Sequence, residues 1–203
     1  MVKRLIIERI LPLEELYAEA TPQERVIAEG YTSQSRRREW LSWRVHLRRS
    51  LSREEFCGVG VGADVQMCYH SSGAPYIKGA DIHISVSHTK DRVAVALSDK
   101  PCAVDMELLD RNFSRISSRY ISPKESQLLG VHLYGEAIAW CAKEAAYKYV
   151  ALQPLDFIED ISVTAIDFHS QRITIQVKDI TIRAEFSVAE EGYCVVTIFE
   201  AAI

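Results

Sequence analysis

Residues 84–88, Ile84-Ser85-Val86-Ser87-His88, return in altered form at residues 186–190 as Phe186-Ser187-Val188-Ala189-Glu190. The first copy ends a longer alternating stretch that starts at Asp81. In a strand, Ile82, Ile84 and Val86 share one face, and His83, Ser85 and Ser87 share the other. Two further pieces echo across the same interval. Trp40-Leu41-Ser42-Trp43-Arg44 matches Trp140-Cys141-Ala142-Lys143-Glu144, and Leu5–Arg9 matches Val104–Leu108. Three matches in one order indicate two similar halves of about 100 residues. The expected fold is α+β: two pseudo-repeated α/β halves, each an antiparallel sheet packed with helices. A cleft between halves is a usual place for a ligand, so the active site is expected at their interface.

Outward from these pieces the other elements follow. Arg4–Ile10 reads as a strand. Thr21-Pro22-Gln23-Glu24 carries the signals of a helix start: an N-cap, a proline in the first turn and a carboxylate behind it. A second helix should begin near Ser33 or Ser35 and turn Trp40, Leu41, Val45 and Leu47 inward. Val59–His70 is glycine-rich at first and then strand-like, and Ser71–Pro75 is a turn. Thr89–Arg92 reverses the chain into Val93–Leu97, making a hairpin. Cys102–Glu107 is another strand, Asp110–Tyr134 is mixed, and Glu136–Ala151 is a helix. Four strands follow at Ile161–Phe168, Arg172–Val177, Thr181–Val188 and Tyr193–Phe199.

The totals narrow the class. With 48% apolar residues in a chain of 203, a sizeable core can form. A net charge of −4 gives no global reason to expect nucleic acid as a partner. The five cysteines, at positions 57, 68, 102, 141 and 194, include no C-x-x-C pair, which argues against a zinc site or a disulfide framework. Neither a signal peptide nor a membrane span is legible, and the reading is of a cytoplasmic protein.

Asp105 and Glu107 stand two apart on a strand, so both side chains project from one face, about 7 Å apart at Cα. Like charges so placed call for a cation between them. Magnesium, which takes one or two carboxylates together with phosphate oxygens, meets that need. A solvated strand edge carrying two unrelated acids has the same spacing. Glu144 and Lys148 are four apart on a helix, which also suits an ordinary surface ion pair. Trp140, Glu144 and Tyr147 form one stripe, however, and a carboxylate beside a tryptophan sits near a buried boundary where it needs a partner. Ser87-His88 ends a strand before a turn, where a histidine can donate to a phosphate or simply face solvent. Arg36, Arg37, Arg38, Arg44, Arg48, Arg49 and Arg53 fall within eighteen residues. Most read as a solvated helix face, with one or two free to fork onto phosphate oxygens.

Taken in order, Gly73-Ala74-Pro75-Tyr76, Ile84–His88, Ala103-Val104-Asp105-Met106-Glu107, Arg119–Glu125 and Trp140–Lys148 resemble the surfactin-synthetase-activating type of 4'-phosphopantetheinyl transferase. The W-x-x-K-E-x-x-x-K run is the most specific element and the D-x-E upstream the second. The resemblance implies transfer of the phosphopantetheine arm of coenzyme A to a serine of an apo acyl carrier protein or peptidyl carrier domain. It assigns Asp105, Glu107 and Glu144 to magnesium, with manganese as the substitute ion. Glu144 and Lys148 become the catalytic pair. Arg37, Arg44, Ser87, His88, Lys143 and Lys148 become the coenzyme A contacts. Residues 1–100 would carry the coenzyme A contacts, and 101–203 the metal site and catalytic helix, in a monomer. Ala74 stands where many members have a basic residue, and Cys102-Ala103 where a glycine is usual. Two other classes share parts of the pattern: a non-catalytic module that binds a carrier through the arginine helix, and a metal-dependent nuclease.

Overall fold

The computed structural model describes residues 3–52, 65–151 and 154–199. Arg53, Cys57 and the glycine-rich part of Val59–His70, residues 59–64, lie outside them. The chain divides into two compact units, Met1–Asp99 and Lys100–Ile203. Among the described residues no helix is long and apolar enough to cross a membrane.

The first unit opens with β1 (Lys3–Arg9) and three helices, α1 (Leu13–Glu19), α2 (Pro22–Glu29) and α3 (Gln34–Leu51). Four strands follow: β2 (Met67–Tyr69), β3 (Pro75–Ile77), β4 (His83–His88) and β5 (Arg92–Ser98). They form one antiparallel sheet in the order β1-β5-β4-β3-β2. The α2 start is as its sequence implies: Thr21 Oγ1 accepts from the Glu24 N–H, and the Glu24 carboxylate accepts from the Thr21 N–H. Ser33 caps α3. Trp43, Leu47 and Leu51 of α3 pack on Ile84, Val93, Val95 and Leu97 of the sheet. The alternation in β4 is only half realised in burial, because Ser85 and Ser87 are buried as well as Ile84.

The second unit runs β6 (Ala103–Leu108), two single 3-10 turns (Phe113–Arg115 and Ser117–Arg119), α4 (Pro123–Leu129) and α5 (Gly135–Val150). Then come β7 (Ile161–Asp167), β8 (Arg172–Val177), β9 (Ile180–Ala189) and β10 (Tyr193–Ile198), in the sheet order β6-β10-β9-β8-β7. Helix α5 presents Ala137, Ile138, Ala139, Cys141, Ala142, Ala145 and Ala146 to the sheet, all buried. Small residues let the helix backbone approach the strands, and Ile173, Ile175, Cys194 and Val196 fill the space beneath.

The two sheets share one topology. In each, the first strand pairs with the last, and the rest follow in reverse order. Each has its longest helix just before its second strand. All three echoes of the sequence fall on equivalent elements: β1 with β6, α3 with α5, and β4 with β9. The fold is α+β with two repeated halves. The chain also holds elements that the sequence reading omitted: α1, and β3 in the stretch just past the Ser71–Pro75 turn. That turn forms, with Gly73 at φ +84°, and β3 pairs with β2 immediately across it.

Candidate active site

In the second unit α5 lies on the face of the sheet from which Asp105 and Glu107 project. The two elements run in opposite directions. Trp140 Nε1 donates to Glu107 Oε1 at 3.0 Å, and Lys148 Nζ donates to Asp105 Oδ1 at 2.8 Å and to the Val104 carbonyl at 3.0 Å. Eight helical residues cover about 12 Å, and two strand residues about 7 Å. The long indole and ammonium side chains take up the difference. Glu144 is midway along the same stripe of α5. It is partly buried and makes no hydrogen bond or ion pair among the described residues.

The electrostatics agree with this placement. Burial is the main cause that pushes the Glu144 carboxyl above the usual carboxylate range, and the Asp105 charge adds to it against the pull of Lys148. Burial also raises Glu107, with Asp105 adding again, while Arg111 and the Trp140 indole pull it down. Glu107 and Glu144 are thus both raised by burial and by the charge of Asp105. Among the described residues no three acidic, histidine or cysteine side chains close on a common centre. Two of the acids are instead held by N–H donors, Asp105 by Lys148 and Glu107 by Arg111 and Trp140. The donor set is hard oxygen throughout and short of positive charge at Glu144. That composition fits magnesium or manganese.

Lys143 is placed differently from the other residues of its motif. Its ammonium is 2.7 Å from Glu125 Oε1 and donates to the Phe157 carbonyl at 2.6 Å, and its side chain is 0% exposed. Glu125 also accepts from the N–H groups of Ser122 and Val163. One carboxylate thus caps α4, ties it to β7 and neutralises Lys143. The structure does not bring Lys143 into the acid group.

In the first unit, Ser87 is buried and His88 is exposed at the end of β4. His88 Nε2 lies 3.4 Å from Arg36 Nη1, and its Nδ1 lies 3.7 Å from Glu39 Oε2. These residues line a cavity of about 150 Å³ with Trp40, Trp43, Tyr69 and Pro75. Arg37 turns elsewhere and donates to the carbonyls of Glu29, the last residue of α2, and of Tyr31, just past it. Arg44 is 1% exposed, donates to the Trp40 carbonyl at 2.7 Å and to the Tyr69 hydroxyl at 3.0 Å, and lies over the Trp40 and Trp43 rings. Arg36 and Arg49 are exposed, as a solvated face implies, but Arg37, Arg38, Arg44 and Arg48 are at least partly buried. Arg38 donates to the Ile10 and Leu11 carbonyls, Arg48 pairs with Glu24, and Arg49 pairs with Glu19. The Ile10, Leu11 and Tyr31 carbonyls lie outside any helix or strand, and α3 runs past them with donors to spare.

Residues 101–198 match the model of the 4'-phosphopantetheinyl transferase superfamily. The match covers just under half of the chain, within the second unit, and supports that superfamily for this unit. No curated protein matches the chain. The matched span contains every acid of the candidate site and the whole of α5. Two residues that the sequence reading left aside also contact the acids' neighbourhood. Arg111 binds Glu107 and lies over the Trp140 ring, and Tyr120 meets the same indole edge-on at 5.0 Å. The signal for Arg111 was the four-residue step from Glu107. Arg36 lines the cavity beside His88 and Arg37 points away from it, a difference set by the helix phase of α3.

Proposed function

We propose that this chain transfers the 4'-phosphopantetheine arm of coenzyme A to a serine of an apo acyl carrier protein or peptidyl carrier domain, releasing 3',5'-ADP. It would do so as a cytoplasmic monomer of the surfactin-synthetase-activating type. The observation that carries the reading is the opposed run of α5 and β6, with Trp140 on Glu107, Lys148 on Asp105 and Glu144 between them. This puts the acids and the lysine of the two motifs on facing elements, which supports the reading.

Asp105, Glu107 and Glu144 would hold magnesium, or manganese in its place. When bound, such an ion withdraws charge from the pyrophosphate oxygens as the nucleophile approaches. The serine oxygen forms a bond to the β-phosphorus, and the bond from that phosphorus to the bridging oxygen breaks. Glu144, desolvated and raised in pKa, is our candidate to take the serine proton. Lys148 would move its ammonium from Asp105 to the leaving phosphate oxygen and balance the charge that develops there. In the first unit we assign phosphate oxygens of coenzyme A to His88 and Arg36, with Arg36 taking the part expected of Arg37. Arg44 and Ser87 would support that cavity from below, and Lys143 would act on the fold through Glu125.

Incubating the chain with coenzyme A, magnesium and an apo carrier should add about 340 Da to the carrier, the mass of the transferred arm. No mass gain with fatty-acid, polyketide and peptide carriers alike would overturn the reading.

A further inference from the structure

Glu107 is gripped on one oxygen only. Its Oε1 accepts from Trp140 Nε1, on α5, and from Arg111 Nη1, four residues beyond it along the chain. Its Oε2 makes no hydrogen bond among the described residues. The Arg111 guanidinium is itself fixed, 5.2 Å from the ring centre of Trp140 and 5.2 Å from that of Phe113. Two donors on the same oxygen, arriving from different elements, set the plane of a carboxylate and turn its other oxygen outward. Groups that orient a metal ligand in this way commonly matter to affinity almost as much as the ligand itself.

We propose that Arg111 is a positioning residue which, with the Trp140 indole, holds Glu107 Oε1 and presents Oε2 to the divalent cation. The inference rests on the metal reading of Asp105, Glu107 and Glu144 given above. Arg111 also brings a positive charge towards the ion, which works against binding. Its side chain is 42% exposed, so solvent and salt screen that repulsion. Orientation of Oε2 acts at contact distance and is not screened.

The test is a titration of the full chain with Mn²⁺ in the absence of coenzyme A, followed by the electron paramagnetic resonance of free Mn²⁺. The wild-type chain should bind. Arg111→Ala should bind about 10-fold or more weakly, with the metal-free melting temperature unchanged. Arg111→Lys keeps one donor without the planar fork and should fall between them, and it serves if the alanine variant does not fold. Equal or tighter Mn²⁺ binding by both variants overturns the positioning role and leaves the metal reading standing. A wild-type chain that takes up no Mn²⁺ overturns the metal reading and this inference with it.

Discussion

Lys143 and Glu125 form an ion pair from which water is almost wholly withdrawn, with side chains 0% and 2% exposed. Burial pushes the Lys143 ammonium below its usual pKa, and Glu125 opposes the shift. Removing one partner of such a pair leaves the other charge buried and uncompensated. Lys143→Met should therefore lower the stability of the protein by about 3–5 kcal/mol, read by urea denaturation. A loss below about 1 kcal/mol, with turnover abolished, would instead return Lys143 to the chemistry.

Glu144, the next residue along, should behave in the opposite way. Among the described residues it is the acid of the three with no hydrogen bond or ion pair, and its charge is opposed by the neighbouring acids. Glu144→Gln should leave the melting temperature equal to or above that of the wild type. Transfer should fall by at least about 100-fold, the scale of a lost general base. A variant that keeps its turnover would remove Glu144 from the proposed mechanism.

Arg44 is a buried cation stacked on two indoles, with its fork committed to Trp40 and Tyr69. Arg44→Ala should destabilise the first unit by about 2–4 kcal/mol. Arg44→Lys should recover little, since an ammonium can neither stack as a plane nor reach both acceptors. Chemical denaturation followed by tryptophan fluorescence reports on this, because Trp40 and Trp43 flank the site.

Glu19 is held below the usual carboxylate range chiefly by its hydrogen bonds from Arg49. A lowered carboxyl stabilises the folded state above its unfolded pKa, about 4.3, and that contribution is lost as pH falls through the folded value. Both side chains are about 40% exposed, so the effect is small and salt-sensitive. The stability difference between wild type and Glu19→Gln should be present at neutral pH, shrink below pH 4.3 or so, and shrink also in high salt. A difference that persists in acid would mean that packing, not charge, holds Glu19.

Much of the second unit can be read from its sequence because its strands are long and alternate. Ile173, Ile175 and Val177 share a buried face of β8, and Arg172 and Gln176 share the other. The acids of the site were legible for a related reason: D-x-E on a strand and E-x-x-x-K on a helix each fix a face. Lys143 was not legible, since its partner Glu125 is eighteen residues away and on another helix. The same holds for the arginine run. Local spacing says which side of α3 a residue occupies, but not that the carbonyls of Ile10, Leu11, Glu29 and Tyr31 lie there. Strands as short as β2 and β3 carry too few residues for alternation to register.

In each unit the opening strand is hydrogen-bonded to the closing one, with Lys3 opposite Ser98 and Ala103 opposite Ile198. The last strand sits between the first and the rest of the sheet. Neither sheet can therefore take in its first strand until its last has left the ribosome. The strand bearing Asp105 and Glu107 has no ladder neighbour but β10, among the described residues, so it stays unanchored until residues 193–198 have been made. Such long-range closure slows folding, because most of the loop entropy is lost before the pairing rewards it. A chain cut short before Tyr193 should keep the catalytic helix in its sequence and still fail to assemble the acids beneath it.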